Sequence, residues 1–254
     1  MKIKCNYLSK AMGRAVDIIV AVPSPVYPEI LGYTGKAEYA PENQYPVLYF
    51  LGGIGNDCNA VFDYTRAQLF AEEYNIAVVA ISGENKFYAD VTEEKFSEFL
   101  EEELPSLVSG YFPISKRPED TYIAGLSMGG YGALLHFFRC PDKYRAVGCF
   151  SGAVGKFDYA ETEKGQEYNI YHLVDKRLKE RAKLGDIYVS CGKEDFILDC
   201  SLKLKQYCED RKVKFSWNEV GGYGHEWRFW DEQLEQFIKW LPRTDFYKNK
   251  RRKV

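Results

Sequence analysis

Thr121-Tyr122-Ile123-Ala124-Gly125-Leu126-Ser127-Met128-Gly129-Gly130-Tyr131-Gly132-Ala133 is the stretch on which the fold is decided. Thr121 to Ala124 reads as a short strand, and a helix is predicted from about Met128 to Arg139, ended by Pro141. Between them lies Gly125-Leu126-Ser127-Met128-Gly129. A serine in a G-x-S-x-G turn from strand to helix has the setting of a nucleophile elbow. Such a turn is tight, so the positions two before and two after the serine must be small. Gly125 and Gly129 meet that need. The serine also sits at a helix N-terminus, where free N–H groups favour negative charge. Taken as five letters alone, the pattern equally fits a serine N-cap between packing glycines. The strand before it and the helix after it favour the nucleophile.

Outward from this turn, strand and helix patterns alternate. Upstream, Val47 to Leu51 and Ile76 to Ile81 are short apolar runs bounded by turn residues, the pattern of buried parallel strands. Ile3 to Leu8 and Ala15 to Val22 alternate and predict an edge hairpin, with Pro23, Pro25 and Pro28 opening a loop. Ala60 to Tyr74 has helical spacing, with Val61, Tyr64, Leu69 and Phe70 on one face, and Glu93 to Val108 is amphipathic. Downstream, Arg145 to Phe150, Ile187 to Cys191 and Val213 to Val220 read as strands. Asp199 to Lys212 and Glu226 to Trp240 read as helices, the last offering Phe229, Leu234, Phe237 and Ile238 to a core. The polar, mixed segment 154–183 reads as an insertion over the sheet. The expectation is an α/β domain spanning residues 1–254, with a mainly parallel sheet of about eight strands and helices on both faces.

The chain has 254 residues, enough for one well-buried α/β core. Its 34 basic and 37 acidic residues nearly balance, which argues against a nucleic-acid or membrane-surface partner. The basic run within 248–254 is expected to be a disordered, solvated tail. The opening Met1-Lys2-Ile3-Lys4-Cys5-Asn6-Tyr7 has no apolar signal-peptide core, and no stretch has the length of a membrane span. The seven cysteines are odd in number and form no C-x-x-C pair, so neither a disulfide framework nor a zinc site is expected. Reduced thiols in a cytoplasmic protein fit this usage. No metal or cofactor is called for.

A nucleophilic serine needs a base, and there are three histidines. His136 lies nine residues beyond Ser127 on the same predicted helix, about 13 Å along its axis and too far to take the proton. His172 falls in the insertion. His225 closes the glycine-rich run Gly221-Gly222-Tyr223-Gly224 after the last strand, which suits an imidazole brought over a sheet edge. An isolated loop histidine is usually surface; its chain order makes this one the candidate base. The orienting acid then lies between serine and histidine, after a strand. Gly192-Lys193-Glu194-Asp195 follows such a strand, and Asp195 is the candidate. Glu194 is expected to point elsewhere, and Asp199 to cap the next helix. Two N–H donors must face the developing oxyanion. Met128 supplies one, and Ile54, in Leu51-Gly52-Gly53-Ile54-Gly55-Asn56-Asp57, is expected to supply the other. A glycine turn after a strand is by itself a weak signal.

Together these segments resemble the esterase D family of α/β-hydrolases, which includes tributyrin-type esterases, S-formylglutathione hydrolases and feruloyl esterases. The resemblance runs from about Tyr45 to Leu241. It is carried by Tyr45-Pro46-Val47-Leu48-Tyr49-Phe50-Leu51-Gly52-Gly53, by Ala124-Gly125-Leu126-Ser127-Met128-Gly129-Gly130-Tyr131-Gly132-Ala133, and by Phe150-Ser151-Gly152. Gly192-Lys193-Glu194-Asp195-Phe196 and His225-Glu226-Trp227 with Trp230 add to it. It implies an α/β-hydrolase fold without a large cap, and a serine carboxylesterase acting on short acyl esters, acetyl or feruloyl esters of carbohydrates among them. A thioesterase of the S-formylglutathione hydrolase kind and an acyltransferase use the same residues. A non-catalytic binding protein of this fold is the reading from another class. Phe87 and Tyr88 match an aromatic site-edge segment in the family, so with Gly53 and Trp227 they are expected to bind substrate. Family members are often oligomeric. One departure is Gly52, where a histidine that helps shape the oxyanion loop is usual.

Overall fold

The computed structural model describes residues 1–90, 93–155 and 163–254. Its strands are β1 (Lys2–Ser9), β2 (Arg14–Ala21), β3 (Val47–Leu51), β4 (Ala77–Ile81), β5 (Thr121–Leu126), β6 (Ala146–Phe150), β7 (Asp186–Gly192) and β8 (Ser216–Val220). They form one eight-stranded sheet in the order β1-β2-β4-β3-β5-β6-β7-β8. The β1–β2 hairpin and the β2–β4 pair are antiparallel, and every other pairing is parallel. The expected edge hairpin and buried parallel strands are therefore both present.

The helices are α1 (Tyr27–Ile30), α2 (Cys58–Tyr64), α3 (Ala67–Tyr74), α4 (Phe96–Glu98), α5 (Leu104–Tyr111), α6 (Met128–Arg139), α7 (Glu163–Gln166), α8 (Ile170–Lys179), α9 (Leu198–Asp210) and α10 (Trp227–Trp240). A π-helical turn, Phe99–Glu103, joins α4 to α5. Alternation along the central strands divides the core between the two faces. On β3, Val47, Tyr49 and Leu51 pack with Leu134 and Phe138 of α6, while Leu48 and Phe50 pack with Val61 of α2, Phe70 of α3 and Phe237 of α10. Among the described residues no helix is long and apolar enough to cross a membrane.

Three expectations change. The single helix over residues 60–74 is two, because Asp231 of α10 accepts the Arg66 N–H at 2.7 Å and the Thr65 hydroxyl accepts the Ala67 N–H at 3.2 Å. Asp199 lies inside α9 instead of capping it, and the Asp195 carboxylate accepts the Ile197 N–H ahead of that helix at 2.9 Å. The basic tail is not a frayed end. Arg252 pairs with Glu29 and Glu72 and donates to the Ser24 carbonyl at 2.7 Å, and Arg251 meets Glu73 at 3.0 Å. Partly buried carboxylates draw these cations in more strongly than open solvent does. Residues 156–162 of the expected insertion lie outside the described residues; the rest of it includes α8, which packs on α6.

Candidate active site

Ser127 occupies the turn between β5 and α6 at φ 54°, ψ −118°, a region that non-glycine residues rarely enter. The glycines around it are required by contact. A Cβ at Gly125 would sit 2.3 Å from the Gly129 carbonyl oxygen, and one at Gly129 would sit 2.1 Å from that of Leu51. The strained turn is fixed by its own backbone: the Ser127 N–H donates to Phe150 O at 2.9 Å, and Ser127 O accepts from Ala153 N–H at 3.0 Å.

Asp195 lies on the loop beyond β7, and His225 on the loop beyond β8. These loops are stitched together. The Lys193 N–H donates to Val220 O at 2.9 Å, the Glu194 N–H to Tyr223 O at 3.1 Å, and the Tyr223 N–H to Glu194 Oε2 at 2.9 Å. Glu194 thus points away from the imidazole and braces the partner loop. Gly192 permits the approach, since a Cβ there would lie 2.2 Å from the Tyr223 oxygen.

The three side chains meet in one hydrogen-bonded line. His225 Nε2 is 2.9 Å from Ser127 Oγ, and His225 Nδ1 is 3.0 Å from each oxygen of Asp195. The Asp195 carboxylate is closed off from solvent, while 15 % of the imidazole surface remains exposed. Burial alone would raise the Asp195 pKa. Hydrogen bonds from His225, the Ile197 N–H and Ser151, with the attraction of His225, outweigh burial and hold it below the ordinary carboxylate value.

The loop after β3 lies alongside. A Cβ at Gly53 would come within 3.4 Å of Ser127 Cβ, so the glycine keeps the space above the serine open. Neither the Ile54 nor the Met128 amide has an acceptor among the described residues. With Gly52 in the usual histidine position, other side chains hold this loop. Asn56 Oδ1 accepts the Gly53 N–H at 3.2 Å, Asn85 Oδ1 accepts the Gly55 N–H at 2.7 Å, and the Tyr88 hydroxyl donates to Gly52 O at 2.9 Å.

Tyr88 is therefore not a substrate wall. It is fully buried, with its ring edge-on to Phe96 beneath the loop. Phe87 is also largely covered and packs edge-on to Tyr131. Both have positive φ. The exposed apolar groups around His225 are others. Phe196, 74 % exposed, lies over the imidazole at 4.5 Å, and Ile54 is 52 % exposed on the loop. Trp227 is half-buried, stacks on exposed Tyr64 at 5.0 Å and meets Trp230 edge-on at 5.3 Å. Trp230 in turn stands edge-on to His225 at 4.8 Å and donates to Ser151 Oγ at 3.3 Å. Phe196, Tyr64 and Ser151 escaped the sequence reading as site residues. The contacts of Phe196 with His225, of Ser151 with Asp195 and of Tyr64 with Trp227 are visible only once the strands are in order.

A family model, Esterase, matches residues 9–241. An acetyl esterase of Caldicellulosiruptor saccharolyticus is 28 % identical over 222 residues, covering 78 % of this chain and 83 % of its own. An S-formylglutathione hydrolase of Paracoccus denitrificans is 26 % identical over 238 residues, covering 79 % and 83 %. Among solved structures, the fluorophosphonate-binding serine hydrolase F of Staphylococcus aureus superposes with a TM-score of 0.83 at 24 % identity, over 95 % of this chain and 98 % of the other.

Proposed function

The chain belongs to the esterase family, and on that premise we propose that Ser127, His225 and Asp195 are the nucleophile, base and orienting acid of this serine carboxylesterase. The observation that carries the assignment is the line from Ser127 Oγ through His225 to Asp195, with 2.9 Å on one side of the imidazole and 3.0 Å on the other. The serine hydroxyl donates to Nε2, so attack on an ester carbonyl transfers its proton to the ring. Asp195 keeps the other proton on Nδ1 and stabilises the imidazolium that forms. The carbonyl oxygen, now anionic, is received by the amides of Ile54 and Met128. Collapse expels the alcohol, protonated by His225. Water activated by the same ring then releases the acid from Ser127.

The substrate is a small-molecule ester with a short acyl group, acetyl foremost, and a carbohydrate alcohol is the favoured partner. Two observations support this. The acetyl esterase relative spans most of the chain, and Gly53, where a Cβ would come within 3.4 Å of Ser127 Cβ, leaves room beside the serine for a small acyl group. Exposed Phe196, lying over the imidazole, and exposed Tyr64, stacked on half-buried Trp227, offer flat apolar faces to a ring-bearing alcohol. A thioester-hydrolase reading is favoured by the S-formylglutathione hydrolase relative. Phe87 stays in this proposal as a residue behind the acyl space rather than as a wall. Residues 1–254 act as one catalytic unit, and the odd number of cysteines, with no C-x-x-C pair, favours a cytoplasmic setting.

A fluorophosphonate probe is expected to label the wild type and not Ser127→Ala. A panel of acyl chain lengths, acetylated sugars, feruloyl esters and S-formylglutathione is expected to give its highest kcat/KM on an acetyl ester. Folded wild-type protein that neither takes the probe nor hydrolyses any ester would instead be a binding protein of the same fold.

A further inference from the structure

The loop beside Ser127 is aimed from outside itself. Gly52 O accepts from the Tyr88 hydroxyl at 2.9 Å, and the Gly53 N–H donates to Asn56 Oδ1 at 3.2 Å. In a trans peptide the C=O and N–H of one plane point in opposite directions. These two bonds therefore hold the Gly52–Gly53 plane by both edges. Gly53 O accepts the Asn56 N–H at 3.3 Å, which leaves the Ile54 N–H facing the other way.

Tyr88 is itself over-determined. Its ring is fully buried and seated between two glycines: a Cβ at Gly83 or Gly132 would lie 2.5 Å from a ring carbon. Tyr88 and Phe87 have φ of 57° and 55°, left-handed values that non-glycine residues rarely adopt. The Tyr88 carbonyl accepts from His136 Nε2–H at 2.9 Å, and His136 Nδ1 faces Glu101 Oε1 at 2.8 Å. The ring is thus held at both nitrogens, by the Tyr88 carbonyl on one side and the Glu101 carboxylate on the other. Arg139 donates to the same carboxylate oxygen at 3.1 Å. His136 is completely buried. A buried histidine held by a partly buried carboxylate thus anchors the turn, and the turn presents one hydroxyl to the loop.

We propose that Tyr88, anchored through its carbonyl by the His136–Glu101 pair, is a positioning residue that aims the Ile54 amide at the oxyanion; this rests on the serine-esterase reading. Tyr88→Phe keeps the packed ring and removes only the hydroxyl. With p-nitrophenyl acetate its kcat is expected to fall about tenfold, less than loss of an oxyanion donor itself, with KM within about twofold. Affinity for an alkylboronic acid, whose tetrahedral serine adduct places an oxygen in the same hole, should fall by a similar factor. Glu101→Gln should also lower kcat at constant KM, and the double variant should lose less than the product of the two single effects. Wild-type kcat in Tyr88→Phe overturns the proposal, as does a lower kcat with unchanged boronate affinity. Should Tyr88→Phe not fold, unchanged kcat in folded Glu101→Gln overturns it equally. A wild type inert to fluorophosphonate and to esters sinks the esterase reading itself, a result separable from the other two.

Discussion

Two histidines in this molecule have nearly the same surroundings and opposite consequences. Each presents Nδ1 to a carboxylate and Nε2 to an oxygen: His225 to Asp195 and the Ser127 hydroxyl, His136 to Glu101 and the Tyr88 carbonyl. The Nε2 distances are both 2.9 Å, and the Nδ1 distances, 3.0 Å and 2.8 Å, are nearly the same. What separates them is the third group. A hydroxyl can donate, so it can leave Nε2 with a lone pair ready for a proton. A carbonyl can only accept, so Nε2 must already hold one. His225 sits at the sheet rim, partly open, whereas His136 is sealed within α6. A histidine–carboxylate pair is thus a base or a bracket according to what faces it.

The comparison breaks first at the rim. Ser127→Ala or His225→Ala should each lower kcat for p-nitrophenyl acetate by roughly 10⁶-fold, leaving only the binding and oxyanion contributions. Comparable activity in either variant would mean that this line of side chains is not the catalytic one. Asp195→Asn should cost about 10⁴-fold, since it favours the wrong tautomer of His225. A much smaller loss would mean that Asp195 is not the orienting carboxylate.

At the buried histidine the expected effect is on stability. Burial would raise the Glu101 carboxyl. The hydrogen bond and charge of His136, with Cys140 and Arg139, outweigh it and bring the pKa down to about 2 from 4.5. A depressed carboxylate stabilises the fold above its unfolded value of about 4.5, and that stability is lost as pH falls toward about 2. The shift corresponds to about 3 kcal/mol. Chemical denaturation of Glu101→Gln should show a loss of that order at pH 7 and a flatter pH dependence between about 4.5 and 2. Equal slopes for the two proteins would remove the ion pair from the account. The smallest effect belongs to the open wall of His225. Phe196→Ala should raise KM about threefold with kcat nearly unchanged, as expected for a contact made equally in ground and transition states.

The fold was largely legible because its strands are short apolar runs between glycine and proline breaks, and period two assigns their faces. Ser127 was legible because the tight turn demands Gly125 and Gly129, and His225 because few histidines compete with it. What stayed hidden depends on partners distant in the chain. The break after Tyr64 needs Asp231, 165 residues from Arg66. The docked tail needs Glu29 and Glu72, and the role of Tyr88 needs Gly52, 36 residues away. Tyr88 misled because an aromatic pair beside a site is equally suited to lining it or to packing under it. The fit of the Tyr88 ring against Gly83 and Gly132, far apart in the chain, decides for packing.

The wide turn Phe99–Glu103 closes its hydrogen bonds five residues back, one more than an α-helix uses. It therefore stores a single surplus amino acid, and the segments on either side run about 100° out of phase. Excising one residue there would restore a regular spiral while swinging Glu101 off its imidazole. Chain length at this spot works as a counter: the helix tolerates the edit, and the bracket beneath the reactive loop does not.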